Sequence, residues 1–154
     1  MVRVLLTVAF AVCAFAGDDP FLGTWKCNFE KSITTVPNPP PRPVSMTLRY
    51  EPHGAGFRIT AEAVMADGQK HASERIVVYD GEEHPRTPDA PAGDVVINRR
   101  VGRNTEEIVY KRDGKITSTI TRVVSPDGKT LTYTSKTTPG AGPEGDTVIV
   151  YEKQ

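Results

Sequence analysis

From residue 22 onward, apolar and polar side chains alternate with a period of two. Trp25, Cys27 and Phe29 fall on one face of the first such run, with Lys26, Asn28 and Glu30 on the other. Val44, Met46, Leu48 and Tyr50 repeat the pattern, as do Phe57, Ile59, Ala61 and Ala63. In 116–124, Ile116, Ile120, Arg122 and Val124 share a face, opposite threonines at 117, 119 and 121. This alternation predicts half-buried antiparallel strands. Shorter stretches near 70–80, 94–101, 106–112, 130–137 and 146–153 join 22–30, 44–50, 57–63 and 116–124 as nine predicted strands. No stretch carries the 3.6-residue period of an amphipathic helix.

The punctuation points the same way. Asp67-Gly68, Asp80-Gly81, Asp113-Gly114 and Asp127-Gly128 each separate two strand-like runs. Asp-Gly favours tight hairpins because both residues tolerate positive φ, so sequential strands should be neighbours in a meander. Three segments break the rhythm. Residues 31–43, with prolines at 37, 39, 40, 41 and 43, predict an extended polyproline-like crossing. Residues 81–93 predict a long loop around Pro85, Pro88 and Pro91, and 138–145 a flexible one.

Residues 1–16 differ in kind. Arg3 precedes an apolar run that closes on Ala14-Phe15-Ala16, followed by the polar Gly17-Asp18-Asp19. A positive end, a short apolar stretch and small residues at the two positions read by signal peptidase predict a secretory signal peptide. The run is too short for a transmembrane segment, which needs roughly 20 apolar residues. Val12 before Cys13 argues against lipoprotein processing. The expectation is a domain over 17–154, exported to the periplasm or beyond. It keeps Cys27 alone of the two cysteines, so it has no intrachain disulfide, and the apolar strand face predicts a buried, inert thiol.

The 154-residue chain balances 19 Lys and Arg against 19 Asp and Glu, which argues against a nucleic-acid partner. Candidate chemistry is sparse. No G-x-S-x-G elbow occurs. His53, His71 and His84 lack the pairing a metal site needs, and Glu82-Glu83-His84 reads as a solvated loop. Arg99, Arg100, Arg103, Lys111, Arg112 and Lys115, interrupted by Glu106 and Glu107, read as a solvated strand face. The chain is read as a non-enzyme, without cofactor or metal, and monomeric. Arg122 stands out because its strand face is otherwise apolar. A guanidinium there must be paired, stacked or near a rim. It is expected either to stack on Trp25 or to hold a ligand's carboxylate or phosphate at a barrel mouth.

With the strands in place, Phe21-Leu22-Gly23-Thr24-Trp25-Lys26 resembles the G-x-W opening of the calycin superfamily, the lipocalins and fatty-acid-binding proteins. That resemblance implies Gly23 at the turn into the first strand and Trp25 plugging a barrel floor. Together with Glu30-Lys31-Ser32, Tyr79-Asp80-Gly81, Pro85 and the run Thr121 to Thr132, the pattern is similar to a family of secreted, uncharacterised lipocalin-like bacterial proteins frequent in acidobacteria. Two departures stand out. The last strand has no arginine to cap the tryptophan, and prolines occupy the place of the two helices that follow the first strand in fatty-acid-binding proteins. The expected fold is all-β, an antiparallel up-and-down meander closed as a lipocalin-like barrel of about eight to nine strands, with a β-sandwich as the alternative. The expected function is binding of a small apolar or amphipathic ligand by Met46, Leu48, Tyr50, Phe57, Ile59, Ile120, Arg122 and Tyr133. The alternative is a protein-interaction or matrix module whose core is filled.

Overall fold

The computed structural model describes residues 19–86 and 92–154. The signal peptide expected over 1–16, and the prolines at 88 and 91, lie outside the described residues. Ten strands follow one another: β1 (Gly23–Thr34), β2 (Ser45–His53), β3 (Gly56–Val64), β4 (Lys70–Val78), β5 (Glu83–Pro85), β6 (Val95–Gly102), β7 (Thr105–Arg112), β8 (Lys115–Val124), β9 (Thr130–Thr137) and β10 (Asp146–Lys153). They form one antiparallel sheet in the order β4-β3-β2-β1-β10-β9-β8-β7-β6-β5. Every sequential pair is adjacent except β4 and β5, the two ends of the sheet, and the first strand, β1, pairs with the last, β10. Among the described residues there is no helix.

The expected meander is present, with two corrections. The strands number ten because β5 lies inside the segment expected to be loop. Its three residues pair with β6 through Glu83↔Ile97, His84↔Val96 and Pro85↔Val95, and a proline suits such an edge strand because no ladder donor is required of it. Second, the sheet curls but is not hydrogen-bonded shut between β4 and β5. The curl is plain from contacts across its concave face: Arg122 on β8 reaches Tyr50 on β2, and Tyr79 at the end of β4 reaches Glu106 on β7.

Local chemistry explains the strand ends. Asp113-Gly114 joins β7 to β8 with φ of 50° and 72°, the two-residue hairpin in which both positions need positive φ. At Asp67-Gly68 and Asp127-Gly128 only glycine is left-handed. There each aspartate instead accepts the N–H two residues on, from Gln69 at 3.0 Å and Lys129 at 3.1 Å. β1 runs four residues past its expected end because a bulge follows Asn28. Ser32 Oγ donates to the Asn28 carbonyl and accepts the Val150 N–H, replacing a lost ladder bond.

The core fills the lower part of the curl. Phe21, Trp25, Tyr50, Ile59, Val124 and Leu131 are buried, with Leu48, Phe57, Val77 and Tyr151 packed around them. Cys27 belongs to this cluster and burial pushes its thiol pKa up, as its strand face predicted. Native protein should therefore resist thiol reagents, with Cys27 labelling only at the rate of unfolding. Rapid labelling in native buffer would contradict this placement.

Candidate functional site

The interior divides into a charged floor and an open upper chamber. The floor begins before β1, where Asp19 and Phe21 sit in a turn closed by Leu22 N–H donating to the Asp19 carbonyl at 3.1 Å. Gly23 then enters β1 with φ of 114°, a conformation costly for any residue with a Cβ. Trp25 is fully buried, and its indole N–H donates to the Phe21 carbonyl at 2.8 Å.

The expected stacking of Arg122 on Trp25 is corrected. The cation over Trp25 is Lys153, its Nζ 4.9 Å from the ring centroid, whereas Arg122 lies over Tyr133 at 5.7 Å. Register supplies the reason: Trp25 pairs with Lys153 across β1 and β10, while Arg122 pairs with Tyr133 across β8 and β9. The last strand thus caps the tryptophan with a lysine where the calycin resemblance led us to look for an arginine.

A chain of paired arginine, carboxyl and tyrosine side chains crosses the floor. Arg100 donates from Nη2 to both oxygens of Asp19 at 2.8 Å and from Nη1 to Glu106 Oε1 at 3.3 Å, with its guanidinium 4.4 Å above the Phe21 ring. Tyr79 Oη donates to the same Oε1. Glu106 Oε2 faces Arg122 Nη1 at 3.6 Å, and that Nη1 donates to Tyr50 Oη at 3.1 Å. Glu106 has no solvent exposure and Arg122 is 5% exposed. Burial raises the Glu106 carboxyl above the usual range, while Arg122, the Tyr79 hydrogen bond and Arg100 pull it back. Here the solvated-face reading of 99–115 is also corrected. Arg99 and Glu107 do pair outside, at 3.2 Å, but Arg100 and Glu106, one residue along on each strand, face inward.

Four tyrosines lie at or beside this floor. Burial is the first cause raising the hydroxyl pKa of Tyr50, Tyr79, Tyr133 and Tyr151. Their neutral forms are therefore favoured in the fold, while an unfolded chain releases those protons near pH 10, the usual tyrosine range of about 10. Stability should consequently fall as pH rises through that value. In a spectrophotometric titration, their tyrosinate absorbance should appear together with unfolding. Four tyrosines ionising reversibly near pH 10 with the fold intact would contradict the buried placement.

Above the floor a cavity of about 330 Å³ lies between β4 on one side and β5 to β8 on the other. Val77, Ile108, Tyr110 and Val96 give it apolar walls, Asn98 and Arg122 close its inner side, and Arg75, His84 and Arg86 add polar groups. It occupies the gap where β4 and β5 fail to pair. His84 Nε2 is 3.0 Å from both oxygens of Asp80, and Arg86 lies over the Tyr110 ring at 4.7 Å. A second, apolar cleft of about 270 Å³ lies under Pro39–Pro43, against Phe29, Met46 and Ile149.

The expected cavity residues are thus spread over three settings. Arg122 lines the first cavity and Met46 the second. Leu48, Tyr50, Phe57 and Ile59 lie in the packed core, Ile120 is buried on β8, and Tyr133 packs against the core beside Arg122. Arg75, Val96, Asn98, Ile108 and Tyr110 were missed. Asn98, Ile108 and Tyr110 share their strand face with the inward Arg100 and Glu106, a parity legible in the sequence. Among the described residues no group of three His, Cys, Asp or Glu side chains is placed to hold a metal ion, and no helix is long and apolar enough to cross a membrane.

No family model matches the sequence, and no curated protein matches it. Among solved structures, this chain is similar to the zebrafish ileal bile acid-binding protein complexed with cholic acid, at 15% identity and a TM-score of 0.52, over 88% of this chain and 98% of that one. The likeness is one of fold, a calycin-type, lipocalin-like β architecture. The narrower likeness to a secreted bacterial family rests on sequence motifs alone.

Proposed function

We propose that this protein is an exported, monomeric, non-catalytic binder of a small amphipathic molecule, and that the cavity between β4 and β5–β8 is the binding site. The observation that carries this reading is the cavity itself. Its volume of about 330 Å³ is at the small end of the range for ligand pockets, about 300–1,000 Å³, and its apolar walls carry a few convergent polar groups. Its position gives a ligand a way in, because no ladder of hydrogen bonds has to be broken between β4 and β5. The solved structure similar in fold holds cholic acid, an amphipathic molecule of the proposed kind. Among the described residues, His84 pairs with Asp80 at 3.0 Å on the exposed side of β5, which is compatible with a polar rim to the site.

The reading is tested by filling the cavity. Phenylnaphthylamine, an uncharged aromatic probe that brightens in apolar surroundings, should bind the protein with saturable fluorescence. Val96→Trp places an indole in the cavity and should abolish that signal while circular dichroism stays that of an all-β fold. Undiminished binding by the folded variant would place the probe elsewhere and overturn the assignment.

A further inference from the structure

Between β1 and β2 the chain runs as a proline strap over the second, apolar cleft. It is pinned at both ends. Thr35 N–H donates to the Asp146 carbonyl at 2.9 Å and Thr35 Oγ1 accepts the Asp146 N–H at 2.9 Å, while Val44 N–H donates to the Val64 carbonyl at 2.7 Å. Asn38 turns the chain with a φ of 50°, so the extended run begins at Pro39. Each proline fixes its own φ, and a residue that precedes a proline is pushed out of the helical region. Pro39-Pro40-Pro41-Arg42-Pro43 applies one or both restraints at every position, which favours polyproline II, a conformation without internal hydrogen bonds. Among the described residues, no hydrogen bond reaches a carbonyl of residues 36–43, and Arg42 has neither a hydrogen bond nor an ion pair. Pro39, Pro40, Pro41 and Arg42 are exposed, and the cleft of about 270 Å³ separates the strap from Phe29, Met46 and Ile149. The fold thus leaves the rings, the carbonyls and the cation of this strap to solvent.

We propose that Pro39–Pro43 is a docking strap for a partner protein whose groove is lined with aromatic side chains and edged by a carboxylate. The chemistry of the strap selects that partner. Proline rings pack into aromatic pockets, and carbonyls left free accept hydrogen bonds from the indole and phenol donors of such a groove. With about three residues per turn, Pro40 and Pro43 share one edge of the strap and Pro39 and Arg42 another. The cation therefore lies beside the prolines, where an Asp or Glu at the end of the groove can pair with it. Because the strap is anchored at Thr35 and Val44, its ordering cost is met in folding and not on docking. A lipid surface fits less well, since Pro39–Pro43 carries a single cation and no aromatic or long aliphatic side chain to insert. The strap shares no residue with the cavity between β4 and β5–β8, so the proposal stands apart from the ligand-binding reading.

Two purified readers of polyproline with aromatic grooves, an SH3 domain and a WW domain, serve as probes in calorimetric titrations of the intact protein. At least one should bind with a Kd tighter than about 1 mM. Arg42→Glu should weaken that binding on the order of tenfold, because it removes a charge-assisted contact and sets a like charge against the groove. Pro40→Ala should weaken it as well, by removing a ring and loosening the run before Pro41. Arg42→Lys, which keeps the charge, should retain most of the affinity. All three changes fall on exposed residues of the strap, so the melting temperature should stay close to that of wild type. No binding of either domain at about 1 mM, or binding that Arg42→Glu and Pro40→Ala leave unchanged, overturns the proposal. Co-flotation with anionic phosphatidylglycerol vesicles in place of domain binding also overturns it, and assigns the strap to a lipid surface.

Discussion

Glu106→Ala is expected to destabilise the fold by about 3–5 kcal/mol, the range for breaking a buried ion pair by deleting one partner. The substitution removes the carboxylate facing Arg122, which is 5% exposed, and leaves that guanidinium charged in a low-dielectric interior. It also removes the acceptor of Tyr79 and one of the two carboxylates holding Arg100. Glu106→Gln keeps an acceptor for Tyr79 while withdrawing the charge, so it should cost less than the alanine variant. Replacing both partners, Glu106→Leu with Arg122→Met, should recover much of the loss, because no buried charge is then orphaned. Chemical denaturation measures all three. A loss under about 1 kcal/mol for Glu106→Ala, the scale of exposed pairs, would mean that water reaches Arg122 and that the charged floor is not dry.

Trp25→Ala should be comparably damaging, at about 3–5 kcal/mol. The ring is fully buried among Phe21, Tyr50, Leu131 and their neighbours, and its truncation leaves a void at the closed end of the barrel, where surrounding strands cannot collapse without breaking the β1–β10 and β1–β2 ladders. The Phe21 carbonyl also loses its indole donor. Lys153→Ala should cost no more than about 0.5–1 kcal/mol, the scale of a cation–π contact near the surface. The order Trp25→Ala far above Lys153→Ala, in melting temperature and in denaturation midpoint, is the expected result. Near-equal effects would show that the lysine, rather than the packed ring, secures the barrel floor.

The meander, the hairpins and the buried faces were legible because a half-buried strand writes its orientation into every second residue. The same parity places Asn98, Arg100, Glu106, Ile108 and Tyr110 inside, but Arg99-Arg100 and Glu106-Glu107 are doubled charges, and a doubled charge reads as a solvated surface unless its two members are assigned to opposite faces. β5 was hidden for a different reason: three residues containing a proline carry no alternation, and only pairing with β6 makes them a strand. The role of Lys153 could not be read because it depends on cross-strand register, which a period of two leaves undetermined. Arg75 was invisible for the converse reason. β4 is an open edge with polar residues on both faces, Lys70, His71, Ser73 and Glu74 among them, so nothing in its sequence marks which face carries Arg75.

The central claim is that the gap between β4 and β5 opens into a ligand site. The most direct test is an amide NMR titration of the protein with phenylnaphthylamine. Saturable shifts should concentrate on residues 75–78 of β4, 84–86 at β5, and Val96, Asn98, Ile108 and Tyr110 on β6 and β7, with Trp25, Leu131 and the outer face of β2 little changed. Shifts scattered over the outer surface, or confined to the cleft under Pro39–Pro43, would contradict the claim.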